Sequence, residues 1–314
     1  MDGLLDKRLL FVTGKGGVGK STVAAALGLV AARRGLRTIV AEIAGQDRVA
    51  RALGDRGASF EETEIADGLS TISIDPHDAL AEYLRIQMPA RPMADLLTSS
   101  RMFQYFAAAT PGMREMVTIG KVWELAQLER RTRGAAPYDL AIVDAPATGH
   151  GLGILHTPQT FADVARVGPV ARQARIIDRT LRDASFTGVV IVTHPEEMPV
   201  AETRSLVGSL RDGLGIAPAA IVVNAVHADR FSDRQARAIR KALDDAGSSG
   251  SRAALRAALS QHARARRQHE QLETLRAGVE IEPVVLPFVY AQDGERAVFE
   301  DLAGLLDERV RVAA

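Results

Sequence analysis

The chain has 314 residues, 46% of them hydrophobic, enough to bury a substantial core as one large domain or as a domain with a subdomain. Its 39 basic residues balance 39 acidic ones, so no global field recruits nucleic acid or an anionic membrane, and neither is expected as a partner. Cysteine is absent, which excludes disulfides, iron–sulfur clusters, thiolate zinc sites and a cysteine nucleophile. The polar stretch from Met1 to Arg8 runs into the first apolar segment without the pattern of a signal peptide. No uncharged apolar run reaches spanning length either, so the expected location is cytoplasmic, without stable membrane insertion.

Leu9-Leu10-Phe11-Val12-Thr13 reads as a short buried strand, and Thr22 to Arg33 as an Ala/Leu-rich helix. Between them lies Gly14-Lys15-Gly16-Gly17-Val18-Gly19-Lys20-Ser21, a loop of G-x-x-x-x-G-K-[ST] type. Its glycines accept backbone angles that other residues resist, so successive N–H groups turn inward toward the oxygens of a polyphosphate. Lys20 is placed for the β and γ phosphates and Ser21 for a magnesium ion. The helix starting near Lys20, with Thr22 in its first turn, points its positive dipole end at the same anion. Lys15 is a second cation in this loop, although the whole chain has only five lysines. It is poorly placed for its own subunit's terminal phosphate, yet it can reach across a two-fold interface and act like an arginine finger on a partner's nucleotide. Dimerisation is then part of the mechanism.

Further strand-like segments follow at Thr38–Glu42, Leu69–Asp75, Leu140–Asp144, Val189–Thr193, Ala220–Asn224 and Val284–Pro287, separated by helix-period stretches. This alternation predicts an α/β fold of the P-loop NTPase kind, with a mostly parallel sheet of about seven strands flanked by helices, in a single domain over residues 1–314. Asp144, Asn224 and Pro287 then fall along one sheet edge, where ligands bind in such folds. Between Asp75 and Pro137 three helices are expected, His77 to Met88, Met93 to Ala109 and Gly112 to Arg133, forming an inserted helical subdomain over residues 76–136. It holds five of the seven methionines, Met88, Met93, Met102, Met113 and Met116, together with Phe103, Tyr105, Phe106 and Trp123. Such a surface either adapts to apolar partners or packs on its own sheet. A loop from Asp245 to Ser251 precedes a long arginine-rich helix from Arg252 to about Arg276, and Arg296 to Val312 reads as a docked terminal helix.

Asp144 closes its strand as expected for an acid that holds magnesium through water beside Ser21. The stretch that follows, Asp144-Ala145-Pro146-Ala147-Thr148-Gly149-His150, resembles the switch segment of the ArsA-type ATPases, a family with a lysine-bearing, deviant Walker A loop. Ile74-Asp75-Pro76, Thr110-Pro111-Gly112-Met113-Arg114-Glu115, Thr193-His194-Pro195-Glu196 with Glu202-Thr203, Val222-Val223-Asn224 and Leu286-Pro287-Phe288 resemble other family elements in order and spacing. The resemblance implies a cytoplasmic, magnesium-dependent ATPase that dimerises over ATP and moves a helical client-binding region. It makes Lys15 the trans-acting lysine, Lys20 the phosphate lysine, and Ser21 with Asp144 the magnesium pair. Asn224 becomes the adenine selector, Pro287 and Phe288 the cover of the base, and Asp144, Pro146, Thr148, Gly149 and His150 the switch. An amide also suits adenine's N6 and N7 on chemical grounds.

Where the family carries a water-orienting aspartate after the second strand, this chain has Ala44. Glu42, Gln46 and Asp47 are the remaining candidates, with Glu42 taken as the catalytic acid, and hydrolysis is either ordinary or slow and partner-dependent. Without cysteines, neither the family's zinc clamp nor its arsenite site can form. The partner is a second copy or a related ATPase, with an apolar protein as possible client. Two alternatives are a nucleotide-binding structural subunit of a heterodimer and a MinD/ParA-like positioning ATPase.

Overall fold

The computed structural model describes residues 3–43, 47–54, 59–88, 100, 110–132, 134–165, 167–290 and 294–310. Among the described residues, eight strands form one sheet: β1 (Leu9–Thr13), β2 (Thr38–Ile43), β3 (Thr63–Ala66), β4 (Leu69–Ile74), β5 (Leu140–Asp144), β6 (Thr187–Thr193), β7 (Ala220–Val226) and β8 (Val284–Pro287). Their order is β3-β4-β2-β5-β1-β6-β7-β8, and all neighbours run parallel except β3 and β4. Seven of these are the strands read from the apolar runs. β3 has no such run, because it is a short edge strand with Thr63 and Glu64 facing solvent. Its signal is the Asp67-Gly68 pair that turns it onto β4, with Gly68 at φ 71.

The central strands are apolar throughout because helices cover both faces. Alternation along β1 sorts its side chains: Leu10 and Val12 join α1 (Lys20–Arg33), α2 (Arg48–Leu53) and the C-terminal helix in one core, while Leu9 and Phe11 join the helices of the opposite face. Those helices are α4 (Met113–Leu125), α5 (Thr148–Ala165), α6 (Pro169–Arg182) and α7 (Glu197–Ser209), preceded by α3 (Pro76–Gln87). After β7 come α8 (Asp233–Asp244) and α9 (Ser249–Arg276), and α10 (Glu295–Asp307) is the last helix of the described residues. Among the described residues, no helix is long and apolar enough to cross a membrane.

Of the segment expected as an inserted subdomain, α3 and α4 are described, and the helix expected over Met93 to Ala109 lies outside the described residues. Ile119, Val122 and Leu125 of α4 are fully buried in the same cluster as Phe11 and Val143 of the sheet. Asp75, read as the last strand residue, caps α3 instead, accepting the His77 N–H at 2.7 Å. Ser248 caps α9 by accepting the Ser251 N–H at 3.0 Å, so this helix starts earlier than the serine and glycine content suggested.

Candidate functional site

The parallel strands bring the loop after β1 and the ends of β2, β5 and β7 to one sheet edge. Gly14 leaves β1 at φ 145, and a Cβ there would lie 2.0 Å from the Val192 carbonyl oxygen of β6, so only glycine lets the loop hug the sheet. Gly19 has φ 89, and a Cβ on it would meet the Asn224 amide nitrogen at 2.3 Å. That amide donates to the Val18 carbonyl at 3.1 Å, so Asn224 braces the loop from β7. Lys20 is buried and its ammonium returns to the Lys15 carbonyl at 3.1 Å, closing the loop around its own start. Burial lowers the Lys20 pKa against the opposing pull of Asp144.

Asp144 is 1% exposed, and neither carboxylate oxygen has a hydrogen-bond partner among the described residues. Burial pushes its pKa up, opposed by the Ser21 hydroxyl and by the charges of Lys20 and Arg48. A buried, unpartnered carboxylate is costly unless a cation answers it. Its oxygens, with the Ser21 hydroxyl nearby, form an all-oxygen donor set that fits magnesium and does not suit a thiophilic metal.

Glu42 lies beside Asp144 in the β2–β5 register and is fully buried. Its pKa is raised to about 7, chiefly by burial, with Asp144 adding to the effect. It accepts the N–H groups of Val49 at 3.1 Å and Ala50 at 3.4 Å, fastening the start of α2 to the sheet edge. Arg48, the first residue of α2, is exposed and makes no side-chain hydrogen bond or ion pair with a described residue, while its charge acts on both Lys20 and Asp144. No motif pointed to it in the sequence. Asp47 is turned away, paired with Arg51 at 2.5 Å. Ala44 and Gln46 lie outside the described residues.

Lys15 forms an ion pair with Glu202 of α7 at 2.6 Å. Both line an open cleft with Gly16, Ala147, Thr148 and Gly149, so the switch segment borders the loop. Pro146 sits against this rim, its carbonyl 3.1 Å from where a Gly151 Cβ would stand; the His150 side chain lies outside the described residues.

On the other side, β7 continues past Asn224 and does not end there as the sequence suggested. Ala225 has φ 58, unusual for a residue other than glycine, and the β7–β8 register shifts between Val223 and Val226. Buried Gln268 of α9 holds this turn, accepting the His227 N–H at 2.7 Å and donating to the Ala225 carbonyl at 3.3 Å. The His227 ring stacks on Phe288 with centroids 4.8 Å apart, and Tyr290 meets Phe288 edge-on. Pro287 and Phe288 are exposed, leaving a wall of rings beyond the turn that follows Asn224. His227 and Gln268 carry no sequence signature, because only the fold brings them to Asn224.

A model of the anion-transporting ATPases matches residues 7–167 and 164–246. The chain belongs to this ArsA-type family. ATPase BagA of Mycobacterium tuberculosis is 31% identical over 209 residues, 65% of this chain and 61% of that protein. An uncharacterized protein of Streptomyces coelicolor is 33% identical over 172 residues, covering 53% of this chain and 41% of its own length. ATPase GET3 of Chaetomium globosum is 28% identical over 180 residues, covering 55% and 50%. The match thus spans about three fifths of the mycobacterial relative, and half or less of the other two.

Proposed function

We propose that this ArsA-type chain is a cytoplasmic ATPase that binds ATP with magnesium and dimerises over the nucleotide. The observation that carries the reading is the convergence of the phosphate loop, Ser21 and a buried Asp144 without partners on one sheet edge. In this reading Ser21 and Asp144 would hold magnesium, and the ion would neutralise charge on the phosphates. The loop N–H groups and Lys20 hold the β and γ phosphates, and Asn224, Pro287 and Phe288 take the adenine, with His227 as a further stacking face. Glu42 keeps α2 beside the phosphates, and its raised pKa suits a group that exchanges a proton near neutrality. Lys15 is held by Glu202 in a half-exposed pair, a contact worth about 0–1 kcal/mol, so turning it toward a partner's phosphate costs little.

The helices above the sheet supply room for an apolar client. A groove of about 220 Å³ runs between α3, α4, α5 and α6, lined by Leu80, Tyr83, Met113, Met116, Trp123 and Phe161 among others. Met116 and Trp123 are also largely buried in the core, so part of the methionine-rich stripe packs on the chain itself. Met93, Met102, Phe103, Tyr105 and Phe106 lie outside the described residues.

A second reading gives turnover to a related partner ATPase and leaves this chain as its nucleotide-binding mate; Ala44, in place of the family's aspartate, favours it. Sedimentation velocity with and without ATP and magnesium, run beside phosphate release, separates the two. A nucleotide-dependent dimer that releases phosphate alone is the expected result. A dimer that is silent until a related ATPase is added supports the second reading, and a chain that stays monomeric and inert in every mixture overturns both.

A further inference from the structure

Residues 229–269 contain ten Arg or Lys against four Asp, a net charge of +6 in a chain whose total is zero, so the remainder carries −6. The fold gathers this excess on the α8–α9 hairpin, in which α8 packs chiefly on α9. All ten cations, Arg230, Arg234, Arg237, Arg240, Lys241, Arg252, Arg256, Arg264, Arg266 and Arg267, are exposed. Of these, Arg266 pairs with Asp233 at 2.8 Å, and the other nine form no ion pair with a described residue. At about 100° per residue, Arg234, Arg237, Arg240 and Lys241 occupy an arc of about 120° on α8, its centre turned about 100° from buried Ala236 and its Arg240 edge next to it. Arg252, Arg256, Arg264 and Arg267 occupy a similar arc of about 120° on α9, away from buried Ala265 and Leu272.

We propose that this hairpin binds the phosphodiester backbone of duplex nucleic acid. A protein partner calls for an apolar interface core and a membrane surface for an apolar helix face, and no exposed large hydrophobic side chain of the described residues lies on the hairpin. Single strands are gripped by stacked aromatics, and the segment's one aromatic, Phe231, is only partly exposed. What remains is charge alone, nine arginines among ten cations, the side chain whose planar fork matches phosphate oxygens. From Arg252 to Arg267 the row on α9 is about 22 Å long at about 1.5 Å per residue, enough to follow several phosphates of a duplex. The neutral total of the chain averages over charges that the fold separates. The root of the hairpin also reaches the candidate nucleotide site: Gln268 clamps the turn after Asn224, and Arg264 approaches the His227 ring at 3.5 Å.

The test is fluorescence anisotropy of a labelled random-sequence duplex about 20 base pairs long, titrated with the full chain across a salt series. The wild-type chain is expected to bind with a log affinity that falls against log salt with a slope of roughly −4 or steeper. Replacing Arg234, Arg237, Arg240 and Lys241 by Gln should weaken binding at least about 30-fold and flatten the slope by about 3 to 4. A second variant, Arg252→Gln with Arg256→Gln and Arg267→Gln, should lose about tenfold and keeps the test decisive if the first fails to fold. Absence of salt-dependent duplex binding, equal binding by the variants, or preference for polyglutamate or phosphatidylserine vesicles over duplex overturns the proposal. Phosphate release measured in the same samples should be unchanged in both variants, and its absence in every sample would count against the ATPase reading without touching this one.

Discussion

Two sets of buried charge share this molecule and behave in opposite ways. Under the α3–α4 layer, Arg130 pairs with Glu124 at 2.7 Å and with Glu62 at 2.5 Å, while Lys121 pairs with Glu82 at 2.8 Å and with Glu124 at 3.3 Å. Glu124 also accepts the N–H groups of Arg131 at 3.1 Å and Thr132 at 3.2 Å. Burial alone would raise its pKa, but Arg130, Lys121 and the backbone donors outweigh burial and hold it below the usual carboxylate range. At the sheet edge, burial wins: Asp144 and Glu42 are both raised, and neither Asp144 oxygen has a hydrogen-bond partner among the described residues, the Ser21 hydroxyl and the Lys20 and Arg48 charges opposing the shift only in part. Buried charges whose hydrogen-bonding capacity is filled belong to the fold, whereas one left unfilled points to something the fold is shaped to receive.

The contrast can be broken from either side. The largest effect is expected at the site. Lys15→Ala should lower phosphate release about 10³-fold or more while equilibrium nucleotide binding changes by less than about tenfold. Unchanged release would remove the trans-acting role of this lysine.

On the structural side, Glu124→Ala should cost about 3–5 kcal/mol in urea unfolding, since it leaves Arg130 and Lys121 buried with fewer partners. Nucleotide affinity of the folded fraction should stay the same; a coupled loss would mean that the network serves the site as well.

The two carboxylates should also differ in sign with pH. Glu124 has a lowered pKa, so the stability it supplies is full above the ordinary value of 4.5 and is lost as pH falls through its depressed value. Asp144 is raised above the ordinary 3.8, so its cost appears as pH rises past that value. Urea midpoints across the acid range should therefore show a shallower acid loss for Glu124→Gln than for the wild type, and parallel curves would contradict the assignment. The smallest effect belongs to Glu202→Gln, which frees Lys15 from a half-exposed pair and should change phosphate release by less than about fivefold.

The parts of this contrast that are local in the chain could be read in the sequence. The loop from Gly14 to Ser21 is one contiguous segment between a strand and a helix, and Asp144 ends an apolar run just before a recognisable switch segment. The Lys15–Glu202 pair joins residues 187 positions apart, so no spacing rule reveals it. Gln268 reaches the turn after Asn224 from a helix whose pattern speaks only of charge, and Arg48 owes its place to Glu42 pulling α2 against the sheet. β3 carries no apolar run because an edge strand needs none, and its local signal is the Asp67-Gly68 turn. The basic hairpin was hidden by a neutral total.

The unfilled carboxylate is tested most directly by urea unfolding of the wild type and Asp144→Asn, each with and without ATP and magnesium. Free of ligand, the variant should be more stable by about 1–2 kcal/mol, because an amide costs less to bury than an unpartnered carboxylate. With ATP and magnesium the wild type should gain stability and the variant should gain much less. A variant that is weaker without ligand and gains as much as the wild type with it would show that Asp144 belongs to the fold and not to the site.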